Sequence, residues 1–595
     1  MTNLFSLFML ILAIFCENAL AIFYENALAT GSVGPAPMAE NLVPVAAAKA
    51  AVQSSPPPNI ILILADDLDL DLDTVTTMPH LQALLADQGV TFSNFFVNVS
   101  LCCPSRASLL RGQYVHNHQV YTNGPPPTGG FEAFRDLGLE NDTIATRLQG
   151  AGYHTALFGK YLNRYPYSSP SNYIPPGWNE WYAPSPTAPG YNQFNYTLNQ
   201  NGTLVAYGNQ PQDYLQDVLT NQAQSFITRT LASGDPFFVY FASFSPHTPS
   251  TPAPRHSTLF TDTLAPRLPS FNEADVSDKP LGIQNLPLLS TQEITQIDDQ
   301  YRLWLQSMQA VDETIAGFVQ TLEASGQLTN TFIFFTSDNG FHMGEHRLAP
   351  GKYMGYEEDV HVPLFVRGPE APISQTLPVL ASMVDLAPTL AEIAGIEIPA
   401  YMDGRSLLPW LRPSLPAPAT WRQAALFEQY VGDHQQLRDP LGEPPDPFDA
   451  PRFEDVPLFY TGLRTLDLKY IEYADGEREL YDLSNDPYEL ENQAASADPA
   501  RLAQLSAWLH GLHVCATDGC RSQELLPPPT CAALDFDGSG AVTVIDVAQA
   551  AAHWGETPQE PGWDARYDLD GNLVVDTTDL AVVAGRWQET CPPGP

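Results

Sequence analysis

The sequence predicts an α/β fold, a sheet covered by helices on both faces, and two observations carry that prediction. Continuous apolar runs of strand length recur at Asn59 to Ala65 (NIILILA), Pro236 to Ala242 (PFFVYFA), Thr331 to Thr336 (TFIFFT) and Val362 to Val366 (VPLFV). Such runs lack the alternation of a strand with one wet face, so they read as strands buried on both sides, the setting of a parallel sheet. Between them lie helical patterns, among them His80 to Gln88 and Ile297 to Ala324. Strands alternating with helices build layered α/β domains.

Taken in order, the chain divides as follows. An apolar run from Leu4 to Phe15 precedes two small-residue cleavage patterns, Ala19-Leu20-Ala21 and Ala27-Leu28-Ala29, and residues 1–29 read as a signal peptide for export. The run is shorter than the ~20 apolar residues that a membrane span requires, so no membrane span is expected. Residues 30–58, rich in Ala, Pro and Ser, read as a linker. The large α/β domain occupies 59–423. A smaller α+β subdomain follows over 424–520, with an irregular insertion at Pro440 to Pro457 and a hairpin expected over Tyr460 to Tyr473. A Pro-rich linker at 521–530 separates a last unit, 531–595. At 595 residues, one large domain with smaller appended units is the expected division.

Charge narrows the classes of partner. Acidic residues outnumber basic ones 68 to 27, for a formal net charge of -41. A nucleic acid calls for basic stripes, which this sequence lacks, whereas acidity suits calcium sites and a solvated surface. Seven cysteines in so long a chain are no disulfide scaffold. Cys515 and Cys520 sit close enough to bridge locally, Cys531 and Cys591 bracket the last unit, and the adjacent Cys102 and Cys103 call for another explanation.

In open α/β sheets, ligands collect at the carboxyl ends of strands. Two of the predicted strands end in such positions: Asp66-Asp67 after the first, and Asp338-Asn339-Gly340 after Thr331 to Thr336. Together they supply four side-chain oxygen donors without a histidine, a set that suits calcium or magnesium better than zinc.

The segment Cys102-Cys103-Pro104-Ser105-Arg106-Ala107-Ser108-Leu109-Leu110-Arg111-Gly112 meets every defined position of the pattern CxPSRxxxLxG and resembles the sulfatase signature. The resemblance covers about Asn59 to Cys520. It implies the mixed sheet of that family, sandwiched by helices, and hydrolysis of a sulfate ester. It also implies that Cys102 is oxidised by a formylglycine-generating enzyme, and that its hydrated aldehyde is the nucleophile. A geminal diol, unlike serine, expels sulfate by collapsing back to the aldehyde. Asp66, Asp67, Asp338 and Asn339 match the family's calcium ligands, with residue 102 completing the shell. Arg106, one helical turn beyond Cys102, lies on the same side of a helix starting near Pro104, where it faces the nucleophile or the ion. Lys160, in Gly159-Lys160-Tyr161, and Lys352, in Pro350-Gly351-Lys352, resemble the family's sulfate-binding lysines. His247, in Ser245-Pro246-His247, resembles its general acid, a task that suits a side chain titrating near neutrality.

The chain departs from the family at two places. Leu162 stands where many members carry a second histidine, so the proton falls to His247, with His342 or His346 as assistants, and His361 stands where an arginine is frequent. The runs Arg111 to Asn123 (RGQYVHNHQVYTN) and Gly159 to Asn163 are most similar to the N-acetylglucosamine-6-sulfatase and heparan sulfatase branch. That implies a glycan sulfate as substrate.

The last unit repeats one pattern. Asp535, Asp537, Ser539, Thr543 and Asp546 stand at the donor positions of a calcium loop, and Asp568, Asp570, Asn572, Asp576 and Asp579 repeat it. Each loop runs into a short apolar helix, Val547 to Trp554 and Leu580 to Trp587. The pair resembles a dockerin, a small all-α module, which implies two further calcium ions and a cohesin-type partner. Two alternatives to a sulfatase stay open from the sequence: a phosphonate or phosphate ester hydrolase of the same superfamily, and a catalytically silent glycan-binding protein.

Overall fold

The computed structural model describes residues 57–185, 188–430, 459–527, 534–557, 565–567, 569, 574–587 and 590–591. The expected signal peptide, all but the last two residues of the 30–58 linker and the Pro440 to Pro457 insertion lie outside them. No described helix is long and apolar enough to cross a membrane.

Among the described residues, the large sheet has ten strands: β1 (Asn59–Asp66), β2 (Val90–Phe96), β3 (His154–Gly159), β4 (Glu180–Pro184), β5 (Thr197–Gln200), β6 (Thr203–Ala206), β7 (Phe237–Pro246), β8 (Thr331–Ser337), β9 (Leu364–Arg367) and β10 (Gln375–Ser382). Their order is β10-β2-β9-β8-β1-β7-β3-β4-β5-β6. At the centre, β1 runs parallel to β7 and β8, and β7 parallel to β3. The sheet is nevertheless mixed, because β9 is antiparallel to both β2 and β8, and β5 is antiparallel to β4 and β6. β9 is the predicted Val362 to Val366 strand. Its apolar run reports burial on both faces, which a central antiparallel strand shares with a parallel one.

Successive residues of β1 feed opposite cores, as the alternation of side chains along a strand requires. Ile60, Leu62 and Leu64 pack in the layer that holds α1 (Cys102–Arg111), α2 (Ile144–Gly150) and a later helix, Leu386–Ile393. Ile61, Ile63 and Ala65 pack in the layer formed by α3 (Leu215–Ser233) and α4 (Thr291–Ala324). The helix expected over His80 to Gln88 is a single α-turn, Pro79–Leu81, continued by a π-helical turn, Gln82–Ala86.

A second sheet, antiparallel throughout, orders β11 (Ala425–Tyr430), β12 (Phe459–Arg464), β13 (Leu468–Tyr473) and β14 (Arg478–Asp482). The predicted Tyr460 to Tyr473 hairpin is β12 and β13. The helix Pro499–His513 buries Leu505, Trp508 and Leu509 against Leu426, Leu463 and Tyr470 of this sheet, and the Cys515–Cys520 disulfide follows. In the last unit, the described helices Val544–Ala552 and Thr577–Gly585 share a small core of Leu534, Val542, Ala550, Val575 and Val583.

Candidate active site

Four strand ends and one helix start converge on a single buried centre. Parallel pairing of Ala65 with Ser337 sets the ends of β1 and β8 side by side, bringing Asp66 and Asp67 next to Asp338 and Asn339. Parallel pairing of Gly159 with Ala242 brings the end of β3 up beside β7, so Lys160 and His247 join the same end of the sheet. The approach at Gly159 is tight: its φ is +110°, and a Cβ there would lie 1.8 Å from the Ala242 carbonyl oxygen. α1 begins at Cys102, two residues earlier than expected, so the cysteine rather than Pro104 opens the helix. Lys352 arrives from the loop after β8.

The contacts join every residue predicted for this centre. Lys352 Nζ donates to Asp67 Oδ1 at 2.7 Å and to Cys102 Sγ at 3.0 Å. Lys160 Nζ donates to both oxygens of Asp66 at 2.9 Å. Arg106 Nε donates to Asp338 Oδ2 at 2.7 Å, its Nη1 to the Lys160 carbonyl at 2.9 Å, and its Nη2 lies 3.5 Å from Asp66 Oδ1. Arg106 thus grips the carboxylates, where the sequence had it facing the nucleophile or the ion. Asn339 Nδ2 donates to Asp67 Oδ1 at 2.7 Å. His247 Nε2 is 3.6 Å from Asp67 Oδ2, and its Nδ1 donates to the Thr248 carbonyl at 2.8 Å.

All of these groups are buried. Burial works against the charge on His247, but the Asp67 and Asp66 carboxylates more than offset it and raise its pKa above the ordinary value. Burial likewise raises Asp338, against the pull of the Arg106 guanidinium.

Calcium fits this donor set. Asp67 Oδ2 and Asn339 Oδ1 are buried without a hydrogen-bond partner, and an unsatisfied buried oxygen is costly unless a cation or donor meets it. The three carboxylates are already balanced by Arg106, Lys160 and Lys352, so a divalent ion leaves surplus positive charge. An anionic ester offsets that surplus.

His342 and His346 stand elsewhere: His342 Nδ1 pairs with Asp359 at 2.8 Å and His346 Nδ1 with Glu273 at 2.7 Å. His361 pairs with Asp71 and stacks on Phe96. Two residues near the centre were not among the predicted site residues. Asn123 Oδ1 accepts from the Cys103 backbone N–H at 2.9 Å. The Tyr191 ring lies 4.8 Å from the His247 ring and 5.2 Å from Lys160 Nζ. Tyr191 comes from an irregular stretch in which no period marks a functional position. It also lines a cavity with Lys160, Asn163, Arg164, Tyr167 and Phe244, which meets the centre at Lys160.

In the last unit, Asp535 accepts from the backbone of Ser539 and Gly540, and Asp546 from that of Asp537 and Thr543. Ser539 Oγ also donates to Asp535. Asp579 accepts from Asp576 N–H as Asp546 does from Thr543 N–H. Asp568, Asp570 and Asn572 lie outside the described residues, as does Cys531; Cys591 is disulfide-bonded.

Comparison with known proteins gives three findings. A family model described as Sulfatase matches residues 58–396. The N-acetylglucosamine-6-sulfatases of Capra hircus and Homo sapiens are each 36% identical to the chain, over 80% and 79% of it and 87% of each relative. Among solved structures, a protein in complex with its substrate D-glucosamine-2-N,6-O-disulfate matches at a TM-score of 0.59 and 25% identity, over 76% of this chain and 97% of that one. The phosphonate monoester hydrolase of Agrobacterium radiobacter shares the fold, with a TM-score of 0.57 and 23% identity over 77% of this chain and 96% of its own.

Proposed function

This chain belongs to the sulfatase family and is a sulfuric ester hydrolase, and from that premise we propose that it removes sulfate from a sulfated sugar of the glycosaminoglycan type, at a glucosamine 6-O-sulfate. The relatives named above support the substrate class. The observation that carries the chemistry is the position of Cys102, whose Sγ lies 3.0 Å from Lys352 Nζ and 3.8 Å from Asp67 Oδ1 at the start of α1. Converted to formylglycine, residue 102 supplies a hydrated aldehyde as nucleophile, and a calcium ion held by Asp66, Asp67, Asp338 and Asn339 supplies positive charge for the sulfate oxygens.

The chain's own side chains do the rest. Lys352, beside the nucleophilic position, binds a sulfate oxygen and stabilises charge that grows as the S–O bond to the sugar breaks. Lys160 and Arg106 hold Asp66 and Asp338 in place and keep the centre cationic overall. His247 gives the proton at Nε2 to the departing sugar oxygen, its ring fixed by the Nδ1 bond to Thr248. The Tyr167 and Tyr191 rings in the adjoining cavity offer apolar faces to a pyranose.

Peptide mass spectrometry tests the nucleophile. In protein made beside a formylglycine-generating enzyme, the fragment containing Cys102 is expected to carry an aldehyde. A folded protein that keeps a thiol there favours the silent glycan-binding reading.

We propose further that the chain is exported, on the strength of residues 1–29, and that 531–595 is a dockerin-like module binding two calcium ions and a cohesin-type partner. The bond from Thr543 N–H to Asp546, matched 33 residues on by that from Asp576 N–H to Asp579, supports the repeat. Calcium titration of the chain with and without residues 531–595 checks it: equal binding by both would remove the reading.

A further inference from the structure

One buried group of side chains has chemistry that the sulfatase reading does not use. His346, in the loop after β8, Glu358, on the short helix Glu357–Val360, and Glu489, in the chain after β14, each bring a ligand atom to within 4.8 Å of the others. All three residues are buried.

The histidine is oriented as a ligand would be. Its Nδ1 donates to Glu273 Oε2 at 2.7 Å, and its ring packs on Tyr356 with centroids 4.1 Å apart. A carboxylate behind Nδ1 fixes the tautomer that leaves Nε2 as a bare lone pair, the arrangement found behind metal-bound histidines. That Nε2 has no hydrogen-bond partner, and neither has Glu358 Oε2. Glu489 is held by Lys469 Nζ at 2.8 Å and by the Glu357 backbone N–H at 2.8 Å, contacts that leave carboxylate lone pairs free for a further partner. His346 Nε2 and Glu358 Oε2, both without a hydrogen-bond partner, thus belong to one buried group with the Lys469-bound Glu489, and a cation held by the three residues meets both.

We propose that His346, Glu358 and Glu489 form a second site, for a divalent transition-metal ion of the zinc class. A nitrogen donor with two carboxylates suits zinc, whereas calcium takes oxygen ligands throughout. Zinc–ligand bonds of about 2.0–2.2 Å require the three donors to draw together from that spacing. The site has a structural consequence. His346 and Glu358 bracket the segment that carries Lys352, and Glu489 follows the smaller sheet. A bound ion would tie both feet of the Lys352 loop to that subdomain and make His346, Glu358 and Glu489 positioning residues for the lysine.

The test counts zinc on the full chain, equilibrated with buffered free zinc in the presence of calcium, and follows Tm. The unsubstituted chain is expected to bind one more zinc than Glu358→Gln, and to gain about 3 °C or more in Tm with zinc that the variant does not gain. His346→Gln serves if Glu358→Gln does not fold. Cys102→Ala and His513→Ala are expected to keep the difference, since the first removes the thiol beside Asp67 and His247, and the second breaks the shallower group of His116, Glu428 and His513. Zinc binding that is unchanged by Glu358→Gln, or abolished by either of the other two, overturns the assignment. So does a Glu358→Gln chain as stable as its parent with zinc present, the result expected if Glu358 were simply protonated.

Discussion

At the scale of single residues, Lys352 joins the Asp67 carboxylate to Cys102, the nucleophile of the proposed reaction. Its Nζ donates to Asp67 at 2.7 Å and to Cys102 at 3.0 Å. Replacing Lys352 with Ala is expected to lower kcat/KM by about 10²–10³-fold, the usual cost of removing one group that stabilises transition-state charge. Steady-state kinetics on an aryl sulfate, alongside circular dichroism to confirm folding, checks this. A second residue-scale prediction concerns stability, away from the centre. His116 Nδ1 lies 2.9 Å from Glu428 Oε2. Burial opposes the charge on Glu428, yet His116 prevails and lowers its pKa to about 2. Burial likewise opposes the imidazolium of His116, and Glu428 raises its pKa. The carboxylate therefore contributes stability above its unfolded value of about 4.3, and this is lost as pH falls toward 2. The histidine contributes fully below about 6.5, and its share is lost as pH rises through the raised folded value. His116→Gln should thus lower Tm most between about pH 5 and 6.5, with the gap to the parent closing at higher pH. A gap independent of pH would contradict the pairing.

At the scale of elements, strand ends place the chemistry, and the tightest placement is at Gly159. Its left-handed φ and the 1.8 Å that a Cβ would leave to Ala242 make it the hinge on which Lys160 reaches Asp66. Gly159→Ala should cost about 1–3 kcal/mol of stability through backbone strain and steric overlap. It should also lower kcat/KM by displacing Lys160, read by thermal melting and kinetics on one preparation. The elements also show what a sequence discloses. β1, β7 and β8 were legible because continuous apolar runs report burial on both faces, and Asp66, Asp67, Asp338 and Asn339 because they sit at the ends of those runs. Strand direction was not legible in β9, since burial does not encode it. Lys160, Lys352 and His247 are isolated polar residues in loops, and a family likeness rather than any period singled them out. Tyr191 and Asn123 reach the site through tertiary contacts alone, and the His346 group draws its third member from beyond the matched family region at Glu489.

At the scale of the whole molecule, a charge of -41 surrounds a centre in which three carboxylates are matched by three cations before any metal enters. An acidic exterior slows the approach of an anionic glycan, so in the proposed reaction capture would rest on short-range contacts: the lysines, the proposed calcium ion and the aromatic cavity beside Lys160. The fold is shared with a phosphonate monoester hydrolase among the solved structures, so the class of ester is settled by experiment. The decisive measurement compares release of sulfate from glucosamine 6-sulfate with hydrolysis of a matched phosphate and a matched phosphonate ester. It uses calcium-loaded protein whose residue 102 carries the aldehyde, with Cys102→Ala as control. The account predicts that sulfate release is the fastest of the three and disappears in Cys102→Ala; faster phosphonate or phosphate cleavage, or no turnover of any sulfated sugar by the converted protein, would contradict it.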